Sequence, residues 1–125
     1  MARKPFAPQS ILVISARSDV RTVCREAAKE IGAKHIILSS STKDAWRVLE
    51  TEPAPDWILT TPEFDHSAKP STYHLANILL EYTEFRNTRL SILADVDELP
   101  FLPPMFEMGV MSIHKAPFTQ QTLVA

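Results

Sequence analysis

The chain has 125 residues, 45% of them hydrophobic and 22% charged, with a formal net charge of -2. That length supports one hydrophobic core and excludes two independent domains, and the nearly balanced charge gives no electrostatic reason to expect nucleic acid or an anionic membrane as partner. Cys24 is the only cysteine, which excludes an internal disulfide, and His35, His66, His74 and His114 lack the spacing of zinc ligands. No metal or other cofactor is therefore expected, and a reducing, cytoplasmic setting fits the cysteine usage.

Residues 1–9 read as an N-terminal tail and residues 10–125 as one domain. After the basic start "MARKPF", the apolar run "ILVIS" (11–15) is too short for a signal peptide or a membrane span. It reads instead as a first strand. Val20, Val23, Cys24, Ala27 and Ile31 then recur at helical spacing, with Ser18 or Asp19 placed to cap the start and Gly32 just past the end. "HIILS" (35–39) is the second strand. "STKDAWRVLETEP" predicts a helix that buries Ala45, Val48 and Leu49 and stops before Pro53.

The third strand is "WILTT" (57–61), led in by Pro55-Asp56, so that Asp56 falls at the amino end of that strand. "PEFDHSAKPS" (62–71) reads as an irregular insertion. "STYHLANILLEYTEF" predicts a third helix with Leu75, Ile78, Leu79 and Tyr82 on one stripe, and "LSILA" (90–94) a fourth strand. In "DVDELPFLPPMFEMG", Pro100, Pro103 and Pro104 restrict any helix to the second half of the connection, before a fifth strand at "VMSIH" (110–114). After Pro117 only "FTQQTLVA" is left, about two turns of a final, truncated helix, and the domain reads as the N-terminal part of a longer protein. The strand runs are rich in Ile, Val and Leu without strict alternation, as in strands covered on both faces. Strand and helix alternate throughout, which predicts a flavodoxin-like α/β fold: a five-stranded parallel sheet of order 2-1-3-4-5 with helices on both faces.

Four stretches in this order carry a resemblance. "ILVISARSDVR", "PDWILTT", "LSILAD" and Gly109 followed by "HKAPF" resemble the strand ends of CheY-like receiver domains of bacterial two-component response regulators. That family holds Mg²⁺ with an acidic pair after the first strand and accepts a phosphoryl group on an aspartate at the end of the third. The resemblance places the acidic pair at Ser15 and Ala16, the acceptor at Thr61, the hydroxyl residue of strand four at Ala94 and the aromatic switch at Ser112 or Ile113. The family's lysine is matched by Lys115, one residue out of place because "KAP" replaces Lys-Pro.

The resemblance therefore implies a degenerate, non-phosphorylatable pseudo-receiver. It is expected to be no enzyme and to act as a protein–protein interaction or dimerisation module in bacterial signal transduction. Its partner would be another protein, a second copy of itself or the remainder of a parent chain. Receivers commonly signal through the face of the fourth helix, fifth strand and fifth helix, which directs attention to Pro100, Leu102, Met105 and Phe106. Three alternatives stand beside this reading. The sheet could bind a small ligand or an anion, with Arg17 and Lys115 supplying positive charge. Glu63 and Asp65 could rebuild a metal site with Asp19, and unorthodox phosphorylation, on Thr61 for example, could switch the domain. Gly32 and Gly109 are the only glycines, so no strand-to-helix turn has a glycine-rich phosphate cradle.

Overall fold

The computed structural model describes residues 8–61, 71–94 and 112–115, with residues 71–74, 77 and 112–115 described by backbone alone. Five strands, β1 (Ser10–Ile14), β2 (His35–Ser39), β3 (Trp57–Thr60), β4 (Arg89–Ala94) and β5 (Ser112–Lys115), form one parallel sheet of order β2-β1-β3-β4-β5. The predicted flavodoxin-like order is the observed one. The connecting helices are α1 (Ser18–Glu30), α2 (Thr42–Thr51) and α3 (Ser71–Glu81). Among the described residues no helix is long and apolar enough to cross a membrane.

Because side chains alternate along a strand, the sheet divides its apolar residues between two cores. Ile11, Val13, Trp57, Leu59 and Leu93 pack with Val20, Cys24, Ala27 and Ala28 of α1 on one face. On the other, Leu12, Ile14, Ile58, Leu90, Ile92 and Ala94 pack with Ala45 and Leu49 of α2 and with Leu75 and Ala76 of α3. This double coverage explains why β1 and β3 read as continuous apolar runs. β2 departs from the expectation: it lies at the sheet edge, its first four residues are partly or fully exposed, and Leu38 is 38% exposed.

Local chemistry accounts for the element ends. Ser41 caps α2 by accepting the Asp44 backbone N–H on its side chain at 3.1 Å. The expected Ser18 or Asp19 cap of α1 is not made in that form. Both residues lie inside the helix, Arg17 is the N-cap, and it makes no side-chain capping bond. At the other end Gly32 adopts φ 86°, its N–H donating to Lys29 O at 3.1 Å and that of Ala33 to Ala28 O at 3.0 Å. These bonds satisfy the last carbonyls in a Schellman motif, and the left-handed conformation is the reason for glycine there.

α3 ends earlier than its apolar stripe suggests. Tyr82 lies beyond the helix and is 53% exposed, while a 3₁₀ turn at Thr83–Phe85 delivers Phe85 to the core instead. At the amino edge Asp56 Oδ2 accepts the backbone N–H groups of Gln9 at 2.8 Å and Ser10 at 3.2 Å. Its carboxylate fastens the entry of β1 to that of β3. Within the sheet, Trp57 Nε1 donates to Ser91 Oγ at 2.9 Å, so the indole meets a polar partner inside the α1-side core.

Candidate functional site: the carboxyl edge of the sheet

Parallel sheets of this kind present their ligands at the carboxyl ends of the strands. Ser15 follows β1, Thr61 follows β3, and Ala94 and Lys115 end β4 and β5 in mutual register, so these four residues share that edge. Ala16 lies there too, next to Ser15 and exposed.

Ser15 is fully buried, and its hydroxyl is occupied. Its Oγ accepts the Arg17 backbone N–H at 3.1 Å and the Thr61 hydroxyl at 3.0 Å, which uses both acceptor sites of a hydroxyl oxygen. The backbone ties the same residues into the sheet: Ser15 N–H donates to Ser39 O at 2.9 Å and Thr61 N–H to Ile14 O at 3.0 Å. A chain of neutral hydroxyls thus bridges the end of β1 to the end of β3.

Two guanidinium groups flank this bridge. Arg17 forms a forked pair with Asp19, Nη2 to Oδ2 at 2.8 Å and Nε to Oδ1 at 3.3 Å, with both side chains well exposed. The Arg17 hydrogen bond holds the Asp19 carboxyl below its ordinary value. Arg21, one turn into α1 and half-buried, donates from Nη1 to Ser15 O at 2.7 Å. Sequence reasoning missed this residue. Its position on the first turn after β1 was visible, but helical spacing does not reveal which way a long side chain reaches back.

Ser15, Ala16 and Thr61 do not fit Mg²⁺. A hard divalent cation needs carboxylate or other free oxygen ligands, and here a methyl and two mutually hydrogen-bonded hydroxyls stand in those places. No cluster of three or more His, Cys, Asp or Glu side chains placed to hold a metal occurs among the described residues. Ala94 is fully buried with Ile92 and Ile58 on the α2/α3 side. Pro100, Leu102, Met105 and Phe106, and the alternative ligands Glu63 and Asp65, lie outside the described residues.

No family model and no curated protein matches the sequence. Solved structures do match. The chemotaxis response regulator CheY4 of Vibrio cholerae superposes with a TM-score of 0.72 at 12% identity, over 92% of each chain. The pilus assembly protein CpaE of Caulobacter crescentus gives 0.68 at 12% identity, over 94% of this chain and 90% of that one. NtrX of Brucella abortus gives 0.75 at 15% identity, with 95% of this chain covering 25% of NtrX. At such identities the likeness speaks of the fold, and the fold is that of CheY-like response-regulator receiver domains.

Proposed function

We propose that this domain is a non-phosphorylatable, non-catalytic receiver-like module that acts in signal transduction by binding a protein partner, the rest of a parent chain or a second copy of itself. The observation that carries the reading is the Thr61–Ser15 hydrogen bond of 3.0 Å. Phosphoryl transfer to a receiver uses carboxylate charge to hold the metal that neutralises the phosphoryl oxygens. Here Ser15 and Thr61 are engaged with each other, Ala16 offers only a methyl, and none of the three carries charge. What is kept is the scaffold: sheet order, helix placement and the two cores.

The breadth of the structural neighbours agrees with a role resting on the scaffold. They include one protein described as a response regulator and one described as a pilus assembly protein. NtrX is longer, and this fold occupies a quarter of it, which accords with a domain that works on the remainder of a chain. The anion-binding alternative gains little from the site, because Arg17 is already paired with Asp19 and Arg21 with the Ser15 carbonyl.

Intact-mass spectrometry after incubation with acetyl phosphate and Mg²⁺ tests the reading. The expected result is an unchanged mass. A labile gain of one phosphoryl group would overturn it.

A further inference from the structure

β2 forms one edge of the sheet. His35 N–H donates to Gln9 O at 2.9 Å and Ser39 O accepts from Ser15 N–H at 2.9 Å, so His35 and Ser39 turn their backbone groups toward β1. By the two-residue alternation of a strand, Ile37 does the same, while Ile36 and Leu38 direct their N–H and C=O groups outward. Natural sheets usually blunt such an edge with lysine, proline or a bulge. "HIILS" has none of these; its centre is three aliphatic residues, and Leu38 is 38% exposed.

We propose that β2 pairs antiparallel with β2 of a second copy, about a two-fold axis through Ile37, joining two five-stranded sheets into one. In that register Ile36 lies opposite Leu38 of the second copy and Leu38 opposite its Ile36. These residues exchange their outward N–H and C=O groups in two closely spaced pairs. Their four aliphatic side chains meet on the α1 face, and the two Ile37 side chains meet on the opposite face.

The ends of the strand argue for a second copy over another occupant. The same register places Lys34 opposite Ser40 of the second copy. Ser40 Oγ donates to Asp44 Oδ2 at 3.0 Å, which holds that carboxylate beside the strand end. Lys34 is exposed and makes no ion pair among the described residues. Each copy therefore brings one cation and one carboxylate to matching places, so two symmetric Lys34–Asp44 pairs flank an apolar centre. An edge that fits itself in this way fixes register as well as contact.

Cysteine cross-linking and sedimentation test the pairing. In the proposed register the two Ile37 residues form a non-hydrogen-bonded antiparallel pair with Cα atoms about 4.5 Å apart, within the span of a disulfide. Ile37→Cys should therefore give a covalent dimer under mild oxidation, far faster than Leu80→Cys, an exposed position on α3; native Cys24 is buried and adds little background. Lys34→Glu should weaken self-association at least tenfold, and Lys34→Asp combined with Asp44→Lys should recover most of it. Circular dichroism on the same samples confirms folding. Cross-linking no faster than at Leu80→Cys, a wild-type protein that sediments as a monomer at its highest soluble concentration, or a charge exchange that restores nothing would overturn the proposal. A dimer lost with Phe106→Glu and untouched by Lys34→Glu would also overturn it, and would leave the interaction reading standing.

Discussion

Thr61 donates its hydroxyl hydrogen to Ser15 at 3.0 Å, closing the ends of β3 and β1 at the carboxyl edge of the sheet. A phosphorylation pocket is a site of mutual carboxylate repulsion that a metal relieves. Two hydroxyls at this edge carry no such repulsion, and their hydrogen bond ties the strand ends together without a metal.

The coupling of these two residues is measurable. Ser15→Ala takes away the acceptor of both the Thr61 hydroxyl and the Arg17 N–H and should destabilise the domain by about 1–3 kcal/mol. Thr61→Val should cost roughly 1 kcal/mol. The double variant should cost less than the sum by about 0.5 kcal/mol or more. Urea denaturation of the four proteins checks it. Strict additivity would mean that the hydrogen bond contributes nothing to stability.

Restoring the acids tests whether Ser15, Ala16 and Thr61 are the matching positions. The triple variant Ser15→Asp, Ala16→Asp, Thr61→Asp should bind Mg²⁺ by calorimetry, because three carboxylates at adjoining strand ends give a hard cation the ligands that it prefers. It should also be less stable without metal than with it, since burial at position 15 penalises an unpaired charge. Ala94, which is buried, and Lys115 stay unchanged, so metal binding is expected without a long-range conformational response. A folded triple variant with no Mg²⁺ affinity would show that these positions do not converge as they do in receivers.

How much of this was legible in the sequence follows from the range of each interaction. The sheet order could be read because apolar runs and helical stripes are local, and right-handed crossovers then leave few topologies. Asp56 could be assigned to the amino edge from its place before β3, though its grip on Gln9 and Ser10 could not. The end of α3 was misread because no proline or glycine marks Glu81, and Tyr82 continues the apolar stripe that Phe85 interrupts in space. The Thr61–Ser15 bond and the reach of Arg21 both cross between elements. Once β1 and β3 were placed side by side, two hydroxyl residues at neighbouring strand ends were the available signal for the first; nothing signalled the second.

Cys24 gives a pH-dependent prediction. Burial in the α1-side core pushes its thiol from the ordinary 9.0 up to about 12. A raised folded-state value means that the neutral thiol is favoured in the fold. Its contribution is complete below pH 9 and is lost as pH rises toward 12, where the unfolded chain ionises first. At pH 8 the native thiol should be silent toward a disulfide reagent and react fully in denaturant. Rapid labelling of the native protein would show that the α1-side core opens readily.

The remaining prediction concerns the segment with three prolines, Pro100, Pro103 and Pro104, and the large apolar residues among them. Proline narrows the conformations of the free chain, so binding through such a segment orders less backbone and loses less entropy. Leu102, Met105 and Phe106 then offer side chains of the size that anchors interfaces. Leu102→Glu or Phe106→Glu should therefore weaken a contact made here with a different protein or with the rest of a parent chain by about 2 kcal/mol or more, while leaving the fold and the β2-paired dimer unchanged. Circular dichroism checks the fold, and sedimentation with the partner present reads the contact. Variants that unfold would assign the segment to the core, variants that bind the partner like the wild type would move that contact elsewhere, and variants that lose self-association would place the dimer contact here instead of at β2.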